Sequence, residues 1–147
     1  MRSPRALWSD LWFEARSAYQ RVRYGYAYRD AWNFYQACAG WSLPRLRHLR
    51  ANLHGHPVDL DEREWDRVLD EIIFAIEECA TGAEEDRIYE RFPSPPFRFV
   101  DCGGYSKLEH LAEDTHRDAR DASRAALDAR VAAGLRLFGE RFQNLWD

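Results

Sequence analysis

The densest group of chemically capable side chains is Arg21-Val22-Arg23-Tyr24-Gly25-Tyr26-Ala27-Tyr28-Arg29-Asp30-Ala31-Trp32. Arg21, Arg23 and Arg29 carry planar donor forks that match the oxygens of a phosphate. Tyr24, Tyr26, Tyr28 and Trp32 carry faces on which a base can stack and a cation can rest. Gly25 allows a close approach of backbone to a ligand. The helix start that follows adds amide donors, unless Asp30 occupies them. Arg45 opens a second basic run, Arg45, Arg47, His48 and Arg50. Arg21, Arg23, Tyr24, Tyr26, Tyr28, Arg29, Trp32 and Arg45 are therefore the candidate ligand-binding residues, for a phosphorylated small molecule or nucleotide. The plainer alternative is that Tyr and Arg close an interhelical loop and the arginines pair with acids elsewhere in the chain.

The charge distribution bears on both readings. Residues 1–57 hold nine Arg and three acids, a net of +6, while residues 58–147 hold twelve Lys+Arg and twenty-two acids, a net of −10. A wholly basic nucleic-acid-binding domain is not expected from such a balance. Twenty of the twenty-one basic residues are Arg, a bias that reads as codon usage in a GC-rich genome and lowers the weight of any one arginine.

Other chemistries find less support. His54-Gly55-His56 with Asp59 and Asp61 offers N and O donors, but in a turn that reads as exposed surface. Glu113-Asp114-Thr115-His116 is a single E-x-x-H, where a di-iron bundle needs two. No metal and no cofactor is expected. The chain has no G-x-S-x-G and no Walker loop, so a non-enzymatic role is expected. Cys38, Cys79 and Cys102 form no C-x-x-C and read as reduced thiols. Cys102, next to Asp101 and Gly103-Gly104, is the one thiol worth testing.

The elements that position these residues read as helices. At 147 residues the chain suits one domain. A first helix spans about Arg5 to Arg23, with a stripe of Trp8, Leu11, Trp12, Ala15, Ala18, Tyr19 and Val22 turned to the core. A second spans about Arg29 to Leu53, kinked at Pro44, with Trp32, Tyr35, Ala39, Leu43, Leu46, Leu49 and Leu53 inward. A third starts at an Asp61 N-cap with Glu64 completing a capping box, buries Trp65, Val68, Leu69, Ile72, Ile76 and Cys79, and ends at Gly82. Residues 83–107, with Pro93-Ser94-Pro95-Pro96 and Gly103-Gly104, read as irregular, with Phe97–Val100 as a short extended piece. A long last helix spans Lys107 to Trp146, along a seam of Leu108, Leu111, Thr115, Ala119, Ala122, Ala126, Ala129, Ala133, Leu137, Phe142, Leu145 and Trp146. The expected fold is all-α and like a four-helix bundle. The length of the last helix and its alanine seam predict a homo-oligomer. No apolar run is long enough to span a bilayer, and the N-terminus lacks the apolar segment of a signal peptide. No membrane partner and a cytosolic location are therefore expected.

Certain groups of residues also carry a resemblance: Arg23-Tyr24-Gly25-Tyr26, Asp30-Ala31-Trp32-Asn33, Leu43-Pro44-Arg45-Leu46, Glu64-Trp65-Asp66 with Leu69-Asp70, and the ending Gly134-Leu135-Arg136-Leu137-Phe138 with Phe142-Gln143-Asn144-Leu145-Trp146-Asp147. On these the chain resembles a widespread group of uncharacterised tailed-bacteriophage proteins, over about four-fifths of its length. The resemblance implies a phage origin and action in the cytoplasm of an infected bacterium. It brings no activity with it, and the region around Pro93–Pro96 inherits nothing. The leading expectation is a phage accessory protein that sequesters a nucleotide-type signal of host defence. The alternatives are an inhibitor that engages a host protein through its acidic face, and a virion or assembly component.

Overall fold

The computed structural model describes residues 4–52 and 55–145. Leu53, His54 and Trp146, assigned above to helix stripes or a metal turn, lie outside them. Five helices and one hairpin follow in order: α1 (Pro4–Tyr24), a short 3-10 turn (Tyr28–Ala31), α2 (Phe34–Asn52), α3 (Glu62–Thr81), α4 (Ala83–Arg91), β1 (Phe97–Asp101), β2 (Ser106–His110), α5 (Arg117–Glu140) and a 3-10 turn (Phe142–Asn144). The chain is thus mostly helical with one small antiparallel sheet. No helix among the described residues is long and apolar enough to cross a membrane.

α3 is the centre, packed by α2 on one side and α5 on the other. Its start follows the capping-box rule. The Asp61 carboxylate accepts from the Glu64 amide at 2.8 Å, and the Glu64 carboxylate accepts from the Asp61 amide at 3.0 Å. Trp65, Leu69, Ile72, Ala75 and Ile76 recur at helical spacing and are buried. Ala39, Leu43 and Leu46 of α2 close on Ile72 and Ile76. α2 continues through Pro44 without a break, although that ring removes one donor from the backbone ladder. It begins at Phe34 and not at Arg29, because residues 28–31 wind more tightly.

α5 meets α3 at Gly134. A Cβ on that residue would stand 2.5 Å from the Glu71 carbonyl oxygen and 2.6 Å from the Ala75 Cβ. Only glycine lets the two backbones touch there. Arg130 then reaches the Glu71 carboxylate through two bonds of 2.9 Å. The Arg130 guanidinium also lies 3.6 Å from the Phe74 ring centre.

Several expectations need correction. The segment 83–107 is ordered. α4 forms because the Glu78 carboxylate accepts from the Glu84 and Glu85 amides, at 2.9 and 3.0 Å, which caps a helix start from the preceding turn. Acids at Glu84, Glu85 and Asp86 suit that positive helix end. The extended piece at Phe97 is a full strand, and Ser106–His110 pairs with it in register Phe97↔His110 to Asp101↔Ser106. Lys107, Leu108 and Leu111 therefore do not begin the last helix, which starts at Arg117 and is 24 residues long, about 36 Å. The length argument for a homo-oligomer falls with it. Ala119, Ala122, Ala126 and Ala129 face solvent, while Arg120, Ser123, Leu127, Val131 and Gly134 turn inward. The expected seam holds at its end, where Leu137 and Leu145 pack on the core, and fails along Ala119–Ala129.

A two-stranded hairpin is marginal alone, and Arg120 anchors this one. Its side chain is buried, pairs with Asp114 and donates to the Phe92 carbonyl at 3.3 Å. It thereby ties the segments flanking the hairpin to α5.

The first helix departs most from expectation. Among the described residues it packs, of all the elements, only on the Tyr28–Ala31 turn. Its buried residues are Ser17 and Gln20, while Trp8, Leu11, Trp12, Tyr19 and Val22 stand exposed. The packed unit is therefore the trio α2, α3 and α5, with α1 and α4 at its periphery.

Two pairs of substitutions test this packing. Gly134→Ala should destabilise the protein by about 1–3 kcal/mol, as overpacking does. Gly139→Ala, also in α5 but facing open space, should stabilise by about 0.4–1 kcal/mol. Trp65→Ala should cost about 3–5 kcal/mol, against about 1 kcal/mol for loss of the cap in Asp61→Ala. Urea unfolding of the four variants checks both orders.

Candidate functional site

The turn between α1 and α2 is built on Asp30. Gly25 ends α1 with φ +81°, and its amide donates to the Arg21 carbonyl at 2.9 Å. The chain then doubles back so that Asp30 faces Arg21. The guanidinium grips the carboxylate through Nε at 3.2 Å and Nη2 at 2.7 Å. The same carboxylate accepts from the Ala27 amide at 2.8 Å. Ala27 is fully buried beneath the turn. Gln20 of α1 adds a second tie, its Oε1 accepting from the Tyr28 amide at 3.1 Å. Hydrogen bonding to Arg21 holds the Asp30 carboxyl below its ordinary value and raises the Arg21 guanidinium.

This geometry divides the predicted residues between two sides of the turn. Tyr28, Arg29 and Trp32 line a cavity of about 370 Å³ together with Phe13, Arg16, Ser17 and Gln20 of α1. Arg21 and Tyr26 line a second cavity of about 770 Å³, walled by Phe34, Cys38, Trp41 and Phe138. Arg23 and Tyr24 line neither of these cavities; the Arg23 guanidinium lies 5.5 Å from the Tyr24 ring centre. Arg45 also lines neither. It rests on Trp41 at 4.0 Å and donates to the Trp41 carbonyl at 2.7 Å.

The arginines differ in what already holds them. Arg21 belongs to Asp30. Arg29 pairs with Glu14 at 2.5 Å and lies 5.7 Å from the Phe13 ring centre. The second basic run is largely neutralised by α3: Arg47 pairs with Glu77, and Arg50 with Asp66 and Asp70. That is the structural alternative weighed above, and for Arg21, Arg47 and Arg50 it accounts for the contacts. Arg16 makes no ion pair among the described residues. It stands 5.4 Å from the Trp12 ring centre, at the mouth of the smaller cavity.

The smaller cavity is the better site for an anion that carries a ring. Two guanidiniums, Arg16 and Arg29, and three aromatic rings, Phe13, Tyr28 and Trp32, surround one space. Ser17 and Gln20 are its buried polar members. The Ser17 hydroxyl is spent on the Phe13 carbonyl at 2.9 Å. Gln20 Oε1 is spent on the Tyr28 amide at 3.1 Å. Residues 13, 16, 17 and 20 share one face of α1. Sequence reasoning passed over that face because the apolar stripe lies on the opposite one.

The remaining candidates scatter. Asp59 pairs with Arg141 at 2.7 Å and Asp61 caps α3, so neither is free beside His56. Glu113 and His116 precede α5 and do not share a helix face. Cys102 is exposed at the hairpin tip, and the Asp101 carboxylate accepts from the Gly103 amide at 2.9 Å.

No family model matches the chain, and neither a curated protein nor a solved structure was found to match it.

The Asp30 pair has a definite pH signature. A carboxyl whose folded pKa is lowered contributes stability that is fully present above the unfolded value and lost as pH falls through the folded one. The Ala27 amide resonance, which reports the Asp30 carboxylate, should shift with a midpoint below the ordinary carboxyl value. Asp30→Asn should abolish that step. A midpoint at or above the ordinary carboxyl value would show that the pair does not hold the turn.

Proposed function

We propose that this chain is a non-enzymatic accessory protein that captures an anionic, ring-bearing ligand of nucleotide type between α1 and the Tyr28–Trp32 turn. The observation that carries the reading is the convergence of Arg16, Arg29, Phe13, Tyr28 and Trp32 around one cavity of about 370 Å³, within the size range of small-molecule sites. In this reading Arg16 and Arg29 bind phosphate oxygens, and Trp32 and Tyr28 stack on the base. Sequestration needs affinity and no transfer of a bond, which suits a site made of donors and rings. The resemblance to tailed-phage proteins supports reading such capture as an event in the cytoplasm of an infected bacterium, directed at a nucleotide signal of host defence. The competing reading, an inhibitor that presents an acidic face to a host protein, has less support. Glu71, Glu77, Glu85, Asp66 and Asp70 already pair with arginines of the same chain.

Calorimetry against a panel of linear and cyclic nucleotides, at two salt concentrations, tests the assignment. Arg16→Gln with Arg29→Gln should leave the fold intact and weaken binding by several kcal/mol, with a shallower salt dependence. Trp32→Ala should weaken it by about 1–3 kcal/mol. Absence of binding across the panel, or binding indifferent to all three changes, would remove this site.

A further inference from the structure

α1 is inside out. The side it turns to the rest of the chain carries Ser17 and Gln20, and the side it turns away carries Trp8, Leu11, Trp12, Tyr19 and Val22, with Trp8 74% and Val22 89% exposed. Ala15 and Ala18 lie on the same outer side and are also exposed. A helix gains most of its stability by burying an apolar face, and among its described residues this one buries almost none. We propose that a second copy of the chain covers this face, the two α1 helices packing antiparallel about a two-fold axis at Ala15.

The pattern itself points to that partner. The stripe runs from Trp8 to Val22, about 21 Å, and its midpoint is Ala15. Antiparallel pairing about the midpoint therefore buries its full length. It sets Trp8 of one copy opposite Val22 of the other, Leu11 opposite Tyr19, Trp12 opposite Ala18, and Ala15 opposite itself, as an isologous contact requires. Ala15 falls on the axis and each Trp12 next to it faces an Ala18, so every contact nearest the axis includes an alanine, while Trp8 lies outward. Opposed helix dipoles favour the same orientation. Each copy offers on the order of 700 Å² on this face, from three large aromatics with Leu11 and Val22, close to the roughly 800 Å² per partner of a standard interface. The nucleotide cavity opens on the other side of α1, so pairing leaves it accessible. Neither reading depends on the other.

Light scattering at graded concentrations decides the matter. The wild-type chain should run at twice 17.3 kDa. Leu11→Glu with Val22→Glu, neither of which lines the ligand cavity, should run at 17.3 kDa and keep a cooperative thermal transition, because the α2–α3–α5 core does not use α1. If that variant fails to melt cooperatively, Ala15→Arg alone should produce the same halving. A wild-type chain that stays at 17.3 kDa at every soluble concentration overturns the proposal. So does a folded variant that keeps the doubled mass. A monomer that sediments with vesicles of anionic lipid would overturn it too, and would assign the stripe to a membrane surface.

Discussion

The close approach of α5 to α3 at Gly134 is the constraint on which the rest of the structure depends. With no side chain at that position, the α5 backbone lies against the Glu71 carbonyl and the Ala75 methyl. That contact fixes the phase of α5. Arg120, Ser123, Leu127 and Val131 must then face inward, and the alanine side must face out. Arg130, four residues before the glycine, is placed to reach Glu71, and Arg120 to grip Asp114 and the Phe92 carbonyl. The hairpin has almost no buried surface of its own. It is held because a contact between two helices far from it decides where Arg120 points.

The uneven charge of the chain becomes, in three dimensions, a seam between helices. α2 brings Arg47 and Arg50 against Glu77, Asp66 and Asp70 of α3, and α5 brings Arg124 and Arg130 against Glu85 and Glu71. These pairs are partly exposed and each contributes little to stability. Their importance is selective. They remove most arginines from consideration as ligand groups and leave Arg16 and Arg29 beside three rings. Among the described residues Arg29 pairs with the solvent-exposed Glu14, a contact that contributes little to stability.

Local rules that close within a few residues were legible in the sequence. The capping box at Asp61 and Glu64, the buried repeat from Trp65 to Ile76 and the stop at Gly82 all appear where expected. So does the turn at Gly25, as does the extended run at Phe97. Rules that depend on a distant group were not legible. α4 starts on the carboxylate of Glu78, five residues before its first residue, so a proline-rich surrounding and a glycine at 82 read as loop. Ser106–His110 is a strand only because Phe97–Asp101 is beside it; alone, it continues an apolar period into the helix that follows. In α5 the alanines drew the seam to Ala119–Ala129, whereas the close approach to α3 is made at Gly134. The candidate site suffered similarly. Tyr28, Arg29 and Trp32 were visible as a cluster, whereas Phe13, Arg16 and Gln20 lie on the face of α1 that hydropathy assigns to solvent.

That assignment exposes a limit of periodicity as a guide. An apolar stripe shows which side of a helix water disfavours; it does not say whether the cover comes from the same chain. In α3 the cover comes from α2 and α5. In α1 the polar side is the one enclosed, because Gln20 must reach the Tyr28 amide and Arg21 must reach Asp30 if the turn is to close. These two bonds set the rotation of α1 about its axis. Once they are made, the stripe from Trp8 to Val22 cannot also face the core. The demand for a polar turn thus takes precedence over burial within the chain, and the apolar surface is left to be covered from outside. Under the two proposals one helix serves two ends at once: its inner face would hold an anion, and its outer face would be covered by a second copy.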